Sequence, residues 1–202
     1  MRLVSCLLGA SLFFGAAAAY ADEKSGVNDE GFIQKWLVLA PIPLKADESG
    51  SAANDREAIK DEAKLKPKAG DKIKVDDKEL AWKEHTAKEH LLDFNAHLGA
   101  QTEDAIGYAV TYITAPDNMK VKMKTGSDDQ CKVWLNGKEV FKYGEPRPAD
   151  KDQDTVEDIE LKKGVNVLVV KVVNEKVDWS FCVRFTDKDD KPITTIKSAT
   201  AE

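Results

Sequence analysis

Apolar and polar positions alternate with a period of two through much of the chain beyond residue 105. Met119, Val121 and Met123 alternate with Lys120, Lys122 and Lys124, the signature of a half-buried strand with one wet face. Cys131, Val133 and Leu135 alternate with Lys132 and Trp134, and Trp179, Phe181, Val183 and Phe185 form a final long strand. Ile106 to Ile113 and Val165 to Val173 are denser β-branched and aromatic runs, and Val156 to Leu161 is a further strand. Turn signals separate these runs: Ala115-Pro116-Asp117-Asn118, Gly126-Ser127-Asp128-Asp129, Lys162-Lys163-Gly164 and Asp187 to Pro192. Asn136-Gly137 between two apolar runs predicts a tight hairpin, because both turn positions require positive φ.

The first half is less regular. Residues 33–39 predict a strand buried on both sides, ended by Pro41 and Pro43, which cannot donate to a ladder. Residues 45–70 are rich in Lys, Asp, Glu, Ala, Ser and Gly and predict a surface insertion. Within it, Asn54-Asp55-Arg56-Glu57 suggests the start of a short helix over about residues 55–64. Lys72 to Val75 and Leu80 to Trp82 predict short strands around Asp76-Asp77. Short strands separated by regular turns, without helix–strand alternation or an internal repeat, predict an all-β fold: an antiparallel jelly-roll β-sandwich, residues 32–190, with a short helical insertion. Residues 22–31 are expected to be a flexible lead-in and residues 191–202 a terminal strand or tail.

The amino-terminal segment changes the picture of compartment. Arg2, an uncharged stretch from Leu3 to Ala19 and Ala19-Tyr20-Ala21 ahead of Asp22 describe a cleavable secretory signal peptide over residues 1–21. The expected product is periplasmic or extracellular, with no membrane span. The formal charge of −6 becomes −7 when Arg2 is lost, which argues against a nucleic-acid partner. Cys131 and Cys182 remain, and an exported protein allows either one disulfide between them or two buried free thiols.

Several segments resemble galactose-binding-like jelly-roll domains of secreted bacterial proteins of planctomycete type. These are related to the sugar-binding domains of β-galactosidase-like glycoside hydrolases. The resemblance is carried by Trp36-Leu37-Val38-Leu39-Ala40-Pro41-Ile42-Pro43, by Leu92-Asp93-Phe94-Asn95-Ala96-His97-Leu98-Gly99 and by Ala109-Val110-Thr111-Tyr112-Ile113. Its most specific part is Gly126-Ser127-Asp128-Asp129-Gln130-Cys131-Lys132-Val133-Trp134-Leu135-Asn136-Gly137-Lys138. Asp152-Gln153-Asp154, Leu161 to Asn166 and Trp179-Ser180-Phe181 extend it over residues 32–186. Gln130, Val165 and Ser180 depart from the family pattern, which carries Gly, Trp and Gly there. The resemblance implies a non-catalytic β-sandwich.

Candidate chemistry is sparse. Ser127, Asp128 and Asp129 admit two readings: a polar rim for sugar hydroxyls or a structural calcium ion, or an Asx-type turn capping backbone N–H groups. Trp134, out of phase with Val133 and Leu135, either stacks on a sugar ring or is buried on the second face of its strand. With Asn136 these residues form the candidate ligand set. His85, His90 and His97 lack metal-binding helix spacing and read as part of a solvated charged segment. The Asp150–Asp158 acids read as an acidic loop. No nucleophile elbow, P-loop or dinucleotide fingerprint occurs. The expected function is a non-catalytic exported binding module with a carbohydrate ligand. The alternatives are an envelope protein-interaction domain without a small ligand, and a glycoside hydrolase with an unrecognised carboxylate pair.

Overall fold

The computed structural model describes residues 25–202 of the 202-residue chain; the signal-peptide expectation for residues 1–21 lies outside them. Two antiparallel sheets form the body. The larger takes strands β1 (Lys35–Pro43), β4 (Lys83–Thr86), β6 (Ala105–Ala115), β8 (Cys131–Leu135), β9 (Lys138–Tyr143) and β11 (Gly164–Asn174) in the order β4-β1-β6-β11-β8-β9. The short β13 (Lys197–Ala199) also pairs with β6. The smaller sheet is β10-β7-β12-β5, made of β5 (Leu92–Asp93), β7 (Met119–Asp128), β10 (Asp154–Leu161) and β12 (Ser180–Thr186). A separate hairpin joins β2 (Lys72–Val75) to β3 (Lys78–Ala81). From β6 to β8, and again from β10 to β12, successive strands alternate between the two large sheets, so the fold is the expected antiparallel sandwich.

The period-two pattern sorts side chains between two cores. Between the sheets lie Trp36, Val38, Ala109, Val121, Met123, Val133, Leu168, Val170, Phe181, Val183 and Phe185. Phe94 stacks on Trp179 with centroids 4.5 Å apart, and Trp36 meets Phe181 edge-on at 5.0 Å. The opposite residues of β1, β6 and β11, among them Leu37, Leu39, Tyr108, Val110, Val169 and Val173, form a second core on the outer face of the large sheet.

The insertion covers that outer face, which corrects its expected role as a surface appendage. Ala53, Ile59 and Trp82 are buried against the sheet, with Leu44, Leu65, Ile73 and Leu80 packed around them. Its helix α1 (Gly50–Asp55) starts earlier than the sequence suggested, because Ser49 is the residue that caps it: the Ser49 hydroxyl accepts from the Ala52 N–H at 3.2 Å. A 3-10 turn follows at Glu62–Lys64. Lys171, fully buried on β11, anchors the insertion from below. Its Nζ donates to the carbonyls of Asn54 (3.2 Å) and Arg56 (2.5 Å) and lies 3.3 Å from Glu62 Oε2, to which the Tyr108 hydroxyl also donates.

Three boundaries also shift. Pro41 and Pro43 lie within β1, because the register slips between Leu39 and Ile42 and relieves the ladder where a proline cannot donate. The described part of the lead-in is pinned: Gln34 N donates to the Gly26 carbonyl, and Val27 bridges Ile33. The tail returns to the body, where β13 pairs with β6 and Ile196 is fully buried.

Candidate functional site

Ser127, Asp128 and Asp129 close β7 at one end of the sandwich, and all three are buried, with at most 8% exposure. The loop after β9 covers them. At its start, Arg147 lies over the Tyr143 ring, 3.6 Å from its centroid, and donates to Asp154 (2.5 Å), to the Ser127 carbonyl (3.3 Å) and to the Ser127 hydroxyl (3.3 Å). Gln153 accepts from the Ser127 N–H, and the Ser127 hydroxyl donates to the Asp129 carbonyl at 2.8 Å. Asp129 spends its carboxylate on two backbone donors, Arg147 N (3.2 Å) and Glu175 N (2.9 Å). Gly126 lets the loop approach, since a Cβ there would overlap the Asp150 carbonyl oxygen. The segment is therefore a buried latch for the loop, with side-chain oxygens capping backbone N–H groups, and not an open polar rim.

The latch has unusual electrostatics. Burial, reinforced by the Asp129 and Asp178 carboxylates, pushes the Asp128 carboxyl up to about 7. Burial also raises Asp129, against the pull of its backbone donors. A carboxylate pair for glycoside hydrolysis flanks an open cleft, whereas these two neighbours sit beneath a loop. The arrangement can hold a proton near neutral pH inside the fold.

Trp134 and Asn136 lie at the other end of β8. Asn136 lies seven positions beyond Asp129, which is roughly 23 Å of extended chain, so the five candidate residues do not form one site. Trp134 is 5% exposed and belongs to the outer core beneath the insertion. Of its two readings, burial on the second face of the strand holds and the stacking platform does not; Lys132 Nζ lies 5.7 Å over the ring. Trp36, Trp82 and Trp179 are buried as well. Asn136 forms the predicted turn with Gly137, at φ of 52° and 82°. Its amide ties the hairpin to β11, accepting from Val167 N and donating to Asn166 Oδ1, both at 2.9 Å.

The hairpin separates two grooves. One, of about 440 Å³, is lined by Ala63, Lys64, Lys66, Asn136, Lys162 and Val165. The other, of about 650 Å³, lies between the hairpin and β10 and is acidic, with Glu139, Glu157, Asp158 and Glu160 facing Lys138 and Lys162. Lys64, Lys66 and Lys162 are exposed, and Lys66 meets Glu202 at 2.7 Å. Val165 is one of the few large apolar side chains in the open, 46% exposed. Sequence reasoning assigned Asn136 to a site but missed these lysines, which come from segments far apart in the chain.

Neither a family model nor a curated protein matches this chain.

Cys131 on β8 and Cys182 on β12 are both buried and both free, so the disulfide alternative is not formed. Burial pushes each thiol up to about 12, which suppresses the thiolate at neutral pH. Among the described residues no three His, Cys, Asp or Glu side chains converge as metal ligands. In the acidic loop, Asp152 pairs with Arg184 and Asp154 with Arg147. The histidine segment is more structured than expected. His85 on β4 and His97 on α2 (Phe94–Leu98) are half-buried and face each other, Nδ1 to Nδ1, at 3.1 Å.

Proposed function

We propose that the protein is an exported, non-catalytic binding module whose ligand surface is the groove between the Asn136–Gly137 hairpin and the Lys64–Lys66 segment. The ligand we propose is a carbohydrate bearing acidic groups. The observation that carries this reading is the 440 Å³ groove beside Asn136, where Lys64, Lys66 and Lys162 outnumber the one carboxylate, Glu202, on a chain of net charge −6. Its volume falls in the usual range for small-ligand sites. Ammonium groups around a concave surface suit carboxylates, and exposed backbone at the hairpin suits hydroxyls. The resemblance to galactose-binding-like jelly rolls supports a sugar, and the amino-terminal pattern supports export. Affinity electrophoresis through gels containing a polyuronate or a neutral galactan tests the reading. Retardation by the polyuronate, abolished in K64A/K162A, is the expected result; unretarded migration in both gels rejects it.

A second reading, a protein-interaction domain of the cell envelope, is favoured by the burial of all four tryptophans to 5% exposure or less. That burial removes the aromatic face on which sugar rings commonly stack. Under this reading a pull-down from envelope extract recovers a partner whose binding K64A/K162A does not alter.

A further inference from the structure

We propose that His85 and His97 form a two-imidazole site for a late first-row divalent cation, with water or an exogenous ligand completing the coordination. The geometry carries the proposal. Two nitrogens bound at about 2.0–2.1 Å to one tetrahedral Zn²⁺ sit about 3.3 Å apart, and at a square-planar right angle about 2.9 Å apart. The observed Nδ1···Nδ1 separation of 3.1 Å lies between these values. The rings are inclined at 73° with centroids 5.1 Å apart, so the two Nδ1 atoms converge while the ring bodies diverge.

Both side chains are held by ordered elements. His85 sits on β4, directly opposite Trp36 of β1. His97 sits on the short helix α2, whose start is fixed by Asp93 Oδ1 accepting from Ala96 N at 2.9 Å and whose end is fixed by Gly99 at φ 71°. Among the described residues neither ring has another hydrogen-bond partner within the protein. Two nitrogen ligands favour Cu²⁺, Ni²⁺ or Zn²⁺ over the hard oxygen-seeking cations.

An N–H···N hydrogen bond between two neutral imidazoles has a similar spacing, so the test must see the metal. Zn²⁺ titrated into the untagged chain, followed through the imidazole proton NMR signals, should shift His85 and His97 together. His90, which packs near Phe32, should stay unmoved. Calorimetry with Cu²⁺ should show a single site that H85Q and H97Q each weaken by about tenfold or more, while H90Q leaves it intact. Signals of His85 and His97 that stay still at millimolar Zn²⁺ overturn the proposal. So does Cu²⁺ binding that survives both H85Q and H97Q. The NMR readout uses the wild-type chain and does not depend on the variants folding.

Discussion

At the scale of single residues, the chain places ionisable groups where solvent does not reach them and then gives them internal work. Asp128 has the clearest consequence. Its carboxyl titrates near 7 in the folded chain, against about 3.9 when unfolded. Between those values the folded state holds a proton that the unfolded state has released, so this residue's contribution to stability falls as pH rises through the window. Above pH 7 the folded chain carries a desolvated carboxylate beside Asp129 and Asp178. D128N mimics the protonated acid at every pH. It should match the wild type near pH 4.5 and exceed it by roughly 1–2 kcal/mol at pH 8. Urea unfolding of both proteins at the two pH values measures this, and a difference that does not change with pH contradicts the assignment. His85 and His97 show how little of such placement a sequence reveals. Twelve residues apart, they fit no single-helix ligand spacing, and only the fold, which places one on β4 and the other on α2, brings their rings together.

At the scale of elements, legibility followed the regularity of burial. Strands such as β7 and β8 alternate cleanly because one side meets the inter-sheet core and the other meets lysines or a cover, so the pattern reads directly. The insertion over residues 45–70 hides its role as a cover because its large apolar residues, Ile59 and Leu65, stand singly among charges. A cover needs only isolated contacts against a sheet that is already apolar. The signal for it lay elsewhere: Ile106 to Ile113 and Val165 to Val173 are apolar on both phases, and a strand apolar on both phases requires a layer on each side. The same logic explains Trp134, for which the second of its two readings, burial on the other face of its strand, is the one the structure takes. The insertion is fixed in register by Lys171, Glu62 and Tyr108. Burial drives Lys171 down to about 8 despite the nearby Glu62 carboxylate, so the ammonium is held at a desolvation cost offset by three acceptors. K171M leaves Glu62 with the Tyr108 hydroxyl and frees two carbonyls, and should destabilise by roughly 3–5 kcal/mol. The triple variant K171M/E62L/Y108F removes the charges of the set but not the two freed carbonyls, and should recover only the part of that loss due to the unpaired Glu62. Unfolding free energies of the single, double and triple variants give the coupling, and simple additivity would show that these residues do not act as one network.

At the scale of the whole molecule, the architecture is three-layered: a four-stranded sheet, a seven-stranded sheet and an irregular cover drawn largely from residues 44–82. The cover hides apolar surface that the large sheet cannot shed, and it supplies Lys64 and Lys66 to one wall of the groove whose other wall is the Asn136–Gly137 hairpin. Stability and the proposed binding surface therefore depend on the same insertion. Replacing residues 46–81 with a short Gly-Ser linker separates the two roles. The inter-sheet core draws none of its residues from that segment, so strand content should persist by far-ultraviolet circular dichroism. The outer face, now exposing Leu37, Leu39, Tyr108, Val110, Trp134 and Val169, exceeds the apolar patches that soluble monomers tolerate. The truncated protein should bind a hydrophobic dye and elute as a dimer or larger species, and it should lose retention by the polyuronate. A truncated chain that stays monomeric and dye-negative would mean that the outer face closes over itself and that the insertion serves the groove alone.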